Sequence, residues 1–163
     1  MPMTTLRPGD PAPILVMATP EGETRIEAPA TPMKPTVLAF FKAECATSRL
    51  ILPCLERLYQ AYASENWRLL GVSQDDPETT QTLRQSLGLS FPIAIDYAFQ
   101  SSTAYRLTHV PTWFLIDPHG IIQKISVGFV REDLEFLSQQ IARHLGQEPI
   151  PITQDRDPAF RPG

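Results

Sequence analysis

Residues 36–41, Thr-Val-Leu-Ala-Phe-Phe, are a nearly continuous apolar run, the pattern of a central parallel strand covered on both faces. Cys45 follows at once and leads into residues 49–62, where Leu50, Ile51, Leu55, Leu58 and Tyr59 recur at helical spacing. A doubly covered strand needs helices on both sides of its sheet, so this one strand–cysteine–helix stretch already restricts the chain to an α/β layer architecture. Pro53 falls inside the helical pattern and predicts a bend there rather than an end.

The remaining elements alternate in the same sense. Residues 1–13 look irregular, and residues 14–17 and 23–26, separated by Pro20-Glu21-Gly22, predict a small hairpin, with 28–35 as a connector. Residues 67–72 read as a strand. Asp76 and Pro77 then supply an N-cap and a first helical residue for a helix that runs through about Leu87 and stops at Gly88. A short strand at 92–95 and a short helix at 100–107 follow. Residues 110–116 and 121–127, joined through Asp117-Pro118-His119-Gly120, predict an antiparallel hairpin, with Trp113 and Phe114 on alternate faces and both in the core. Leu134, Leu137, Ile141 and Leu145 line one face of a last helix over 131–145. Three segments result: 1–13 irregular, 14–146 a single domain, and 147–163 a flexible proline-rich tail without a hydrophobic period.

Charge and length exclude several function classes. The formal net charge of −4 is spread over 163 residues with no lysine or arginine run, so a nucleic-acid partner is not expected. Nothing resembles a leader peptide or a bilayer-spanning run, so no membrane association is expected. Two cysteines without such a leader fit a reducing compartment, which predicts a cytoplasmic protein. No metal site and no cofactor are expected, and the oligomeric state is not legible. The pair Asp75-Asp76 reads as turn and cap rather than as a metal or acid–base site, because Pro77 stands next to it.

Cys45 at a strand-to-helix junction, together with Pro111 before a late strand, resembles the thioredoxin superfamily, and within it the redoxin branch of TlpA-type thiol-disulfide reductases and alkyl hydroperoxide reductases. The residues carrying the resemblance run from 6 to 146: Leu6-Arg7-Pro8-Gly9-Asp10-Pro11-Ala12-Pro13, then Phe40-Phe41-Lys42-x-x-Cys45, then Pro53. Gly71-Val72-Ser73-Gln74-Asp75 with Phe91-Pro92, Val110-Pro111-Thr112, Leu115-Ile116-Asp117-x-x-Gly120 and Gly128 complete it. The resemblance implies a thioredoxin-like fold: a central mixed sheet with helices on both faces, an N-terminal hairpin and an inserted helix–strand segment. It also implies a cis bond at Val110-Pro111 that aims the Val110 backbone at the cysteine.

The departures from that family shape the functional expectation. Cys45-Ala46-Thr47-Ser48 has a hydroxyl where a dithiol enzyme has its second sulfur. A helix N-terminus favours the Cys45 thiolate, and Ser48 can donate to it. Lys42 is expected to lower the thiol pKa and Glu44 to raise it. Val110, Pro111 and Thr47 are the expected substrate contacts, and His109 is a further residue that could face the thiol. Cys54 is the only other thiol, but nine residues of continuous helix rise about 13 Å against a disulfide Cα limit of roughly 7 Å. It reads as a small buried helix residue rather than a resolving thiol. Family peroxidases use Pro-x-x-x-Thr-x-x-Cys, where this chain has Leu38 and Lys42, and the buried acid of thioredoxins is replaced by Ala39.

The leading expectation is a monothiol oxidoreductase in which Cys45 forms mixed disulfides with a protein or a small thiol such as glutathione. Turnover then needs an external thiol. Two alternatives stay open: a non-catalytic binding module using the groove beside Pro111, and a degenerate peroxiredoxin-like peroxidase.

Overall fold

Strand β3 (Thr36–Phe41) is buried along its whole length, and its alternating side chains enter two different cores. Val37, Ala39 and Phe41 face one side, while Leu38 and Phe40 face the other. The computed structural model describes residues 4–22, 24–29 and 33–163. Helix α1 (Ala46–Ala61) follows β3 directly and continues through Pro53. After it come β4 (Arg68–Ser73), α2 (Pro77–Leu87) and β5 (Ile93–Ile95). Before β3 lie β1 (Leu15–Ala18) and β2 (Arg25–Ala28), an antiparallel pair with Leu15 opposite Ala28. The predicted hairpin is therefore present one or two residues later than the pattern placed it, and Glu23 lies outside the described residues. So do 30–32 of the predicted connector.

A short 3-10 turn at Tyr97–Phe99 and α3 (Gln100–Ala104) precede β6 (Thr112–Ile116) and β7 (Ile122–Val127). Helix α3 is shorter than the predicted 100–107, because the chain turns at Arg106, which takes a left-handed φ of 53°. The two strands form the expected antiparallel hairpin, with Thr112 opposite Val127. Strand β8 (Phe129–Val130), α4 (Arg131–Leu145) and β9 (Phe160–Arg161) complete the chain.

The sheet order is β2-β1-β5-β4-β3-β6-β7, mixed and seven-stranded. Strand β3 pairs parallel with β4 and antiparallel with β6, which puts it inside the sheet as its apolar composition requires. Ile51, Leu52, Leu55 and Leu58 of α1 join Leu134, Leu137 and Ile141 of α4 in one core, and Leu83 of α2 enters the same cluster. On the opposite face Phe40, Tyr105 and Phe114 stack edge-on, with Phe40 and Phe114 ring centres 5.9 Å apart. Trp113 and Phe114 are both buried and enter different cores, as their alternation predicts. Asp76 caps α2 by accepting the Thr79 N–H at 2.7 Å, and Gly88 ends it.

Residues 147–163 depart from the expected flexible tail. They run back over α1 and α4, held at separate points by groups that no local period announces. Tyr62 Oη accepts the Ile150 N–H at 2.7 Å, and Ile152 is fully buried. The Glu135 carboxylate accepts the N–H groups of Ile152 and Thr153 at 2.9 and 2.8 Å, while Arg57 donates to the Ile152 carbonyl at 2.7 Å. Arg131 donates to the carbonyls of Gln154, at 2.6 Å, and Asp157. A segment without hydrophobic period is thus fixed by backbone hydrogen bonds to side chains of distant helices.

Candidate functional site

Cys45 is the N-cap of α1. Its backbone is extended, its sulfur accepts the Ser48 N–H at 3.4 Å, and its carbonyl accepts the Arg49 N–H at 3.1 Å. The sulfur therefore sits where the unpaired N–H groups of the helix converge, a place that favours negative charge. The turn leading into it is tied on both sides. Asp75 accepts the Ala43 N–H at 2.7 Å, and Arg49 Nε donates to the Ala43 carbonyl at 2.6 Å.

The other wall of the site is the loop before β6. The Val110–Pro111 bond is cis, and the Cys45 thiol donates to the Val110 carbonyl at 3.6 Å. Thr112 Oγ1 donates to the His109 carbonyl at 2.7 Å, and the Gly128 N–H donates to the Pro111 carbonyl at 2.8 Å. Cys45, Val110 and Pro111 are thus brought together as expected.

Partial burial pushes the Cys45 thiol up, yet the Ser48 N–H, the Ser48 hydroxyl, the Thr47 N–H and the Lys42 charge together outweigh it. The thiol lies below its ordinary value. Ser48 lowers it first through its backbone N–H and then through its hydroxyl, whose oxygen also accepts the Lys42 N–H at 3.4 Å. Lys42, Glu44 and His109 line, with Cys45, a cleft of about 890 Å³. His109 is exposed, and its ring bonds the Thr108 hydroxyl at 3.0 Å rather than the sulfur.

Thr47 does not fit its expected place as a substrate contact. It is buried, and its hydroxyl donates to the Pro162 carbonyl at 2.6 Å. Cys54 is fully buried on the uninterrupted α1, and burial pushes its thiol up to about 11 against the opposing charge of Arg57. Arg57 donates to that sulfur at 3.2 Å, and both cysteines are free.

Two features of the site were not read from sequence. Asp75 reads as part of a turn, and the pairing of its carboxylate with a backbone N–H 32 positions away carries no local signal. Residues 159–163 fall within the expected flexible tail of 147–163. They lie instead against the Cys45–Pro111 junction: β9 pairs antiparallel with β8, Arg131 N–H donates to the Ala159 carbonyl at 3.0 Å, and Gly163 touches the same cleft as the sulfur.

Comparison with known proteins agrees with this geometry. The model of the AhpC/TSA family matches residues 8–125. The chain is 33% identical over 129 residues to the thiol-disulfide oxidoreductase ResA of Halalkalibacterium halodurans, covering 78% of this chain and 73% of that protein. It is 32% identical over 104 residues to ResA of Geobacillus kaustophilus, of which the match spans 60%. Among solved structures it resembles StoA from Bacillus subtilis, at 28% identity with a TM-score of 0.63 over 74% of this chain and 91% of that one. A Chlorobium tepidum protein provisionally described as the thiol:disulfide interchange protein DsbE matches over 87% of this chain and all of its own, at 26% identity with a TM-score of 0.77.

Proposed function

Because this chain belongs to the AhpC/TSA family and its relatives are thiol-disulfide oxidoreductases, we propose that it exchanges disulfides through the single thiolate of Cys45. The observation that carries the reading is the sulfur at the N-terminus of α1, receiving the Ser48 N–H and half exposed beside the Val110 carbonyl. In the first step the Cys45 thiolate attacks one sulfur of a disulfide. A new bond forms between Cys45 and that sulfur, the old sulfur–sulfur bond breaks, and its electron pair leaves on the second sulfur as a thiolate. Ser48 offers no thiol, so the mixed disulfide persists until an external thiolate attacks it and returns Cys45 to its reduced form.

Cys54 takes no part in this cycle. Its burial keeps it protonated at neutral pH, and α1 separates it from Cys45. The lowered thiol of Cys45 favours chemistry over a purely binding role, which would leave it ordinary or raised.

Intact-mass measurement after incubation with oxidised glutathione tests the proposal. One glutathione adduct on Cys45 is expected, with Cys54 unmodified. If the folded protein takes up no adduct while the urea-unfolded chain does, the proposal falls.

A further inference from the structure

The backbone groups that border Cys45 are already in use by the chain itself. Residues 159–163 lie extended along β8, with Phe129 opposite Arg161 and Val130 opposite Phe160. Pro162 accepts from Thr47, and a Cβ added at Gly163 would collide with the Val110 carbonyl and crowd the Pro111 ring. The groove is filled to contact at that point, and only a residue without a side chain passes. An extended polypeptide approaching Cys45 from this side would need the same strand edge and the same hydroxyl.

The rest of the cleft that Gly163 borders carries a different chemistry. Lys42, Arg106 and His109 lie along it, with Glu44 as the only acidic side chain among its lining residues. Two permanent cations against one anion suit a small disulfide that carries carboxylates. The segment is also built in two parts. Residues 150–157 are anchored by Tyr62, Glu135, Arg57 and Arg131, whereas 158–163 are exposed and held by a few backbone bonds and the Thr47 hydroxyl. A firm base with a lightly held tip is the arrangement of a local opening unit.

Resting on the reading of Cys45 as the nucleophile, we propose that residues 159–163 gate the groove beside Pro111, so that the folded chain reacts with small anionic disulfides and excludes extended polypeptide disulfides. Displacing the tip admits the polypeptide without altering the route used by small molecules.

The test uses the full chain and two variants outside the lining of the cleft: Phe160→Gly, which loosens the strand opposite Val130, and Arg161→Pro, which removes the backbone N–H opposite Phe129. Two probes carry the same coloured leaving group, thionitrobenzoate, one on glutathione and one on the cysteine of a short extended peptide. Attack by Cys45 bonds it to the glutathione or peptide sulfur and releases thionitrobenzoate with the electron pair. If the tip is open at most a tenth of the time, both variants should speed the peptide probe about tenfold and change the glutathione probe by less than about twofold. An unchanged peptide rate in both variants overturns the gate, as does equal acceleration of both probes. A wild-type chain in which neither probe reacts overturns the proposed function instead, which keeps the two failures distinct.

Discussion

Ionisation of Cys45 decides whether the site does chemistry at all. Only the thiolate attacks, so the alkylation rate rises with pH as the thiol loses its proton, and the midpoint reports its pKa. That midpoint is expected below the ordinary value of about 8.5, whereas Cys54 should stay unreactive until the pH nears 11. Iodoacetamide labelling followed by peptide mapping checks both, and equal labelling of the two cysteines in the folded state would contradict it. Lys42→Ala should move the Cys45 midpoint upward, because the cation that favours the anion is gone. Cys54 also links stability to pH. Its folded pKa is raised, so its contribution is complete below the unfolded value of about 8.5 and is lost as the pH climbs through about 11. Restoring a second sulfur gives a separate check: Ser48→Cys puts two thiols one turn apart, with the residue-48 N–H already 3.4 Å from Sγ, and mass spectrometry after mild oxidation should show the loss of two hydrogens. At this scale the approach of Cys45 to the Val110 carbonyl, the cis bond at Pro111 and the Ser48 N–H on the sulfur follow from local chemistry. Thr47 escaped because its orientation depends on a carbonyl at position 162.

Elements with their own period or punctuation were legible; elements made by their neighbours were not. The two-faced run of β3, the Asp76-Pro77 start of α2 with its stop at Gly88, and the β6–β7 hairpin follow from local chemistry and are found where they were expected. Strands β8 and β9 are two residues each and exist only because one pairs with the other. No pattern of alternation can develop over that length. Helix α1 joins the site to the core, so its buried face should govern stability: Leu55 is fully buried among α1 and α4 side chains, and Leu55→Ala is expected to cost about 2–5 kcal/mol. Urea denaturation measures this as a lower midpoint at unchanged slope. Because α1 also positions the Cys45 cap, a loss of local order should raise the Cys45 alkylation midpoint toward that of an ordinary thiol.

Over the whole molecule, the segment after α4 joins regions far apart in sequence: Arg57 of α1 and Tyr62 at its C-terminal end, Arg131 and Glu135 from α4, and the Cys45–Pro111 junction. Its proline content and lack of period correctly exclude a helix or long strand, but mobility does not follow, since irregular backbone is held equally well by side chains that accept its N–H groups. Glu135 is the test of that hold. One of its oxygens accepts three donors, the N–H groups of Ile152 and Thr153 and the Thr153 hydroxyl. Glu135→Ala leaves them without their partner at a cost of about 1–3 kcal/mol, most of it falling on the segment rather than on the sheet. Trypsin should then cut after the exposed Arg156 about tenfold faster, since 1.4 kcal/mol of easier opening is a tenfold larger open population. Arg161 precedes Pro162 and should remain uncut. Because the tip beside Cys45 continues directly from this anchored stretch, the same variant should also quicken attack on the peptide-bound disulfide. Faster proteolysis without that gain would mean that the anchor and the gate open independently.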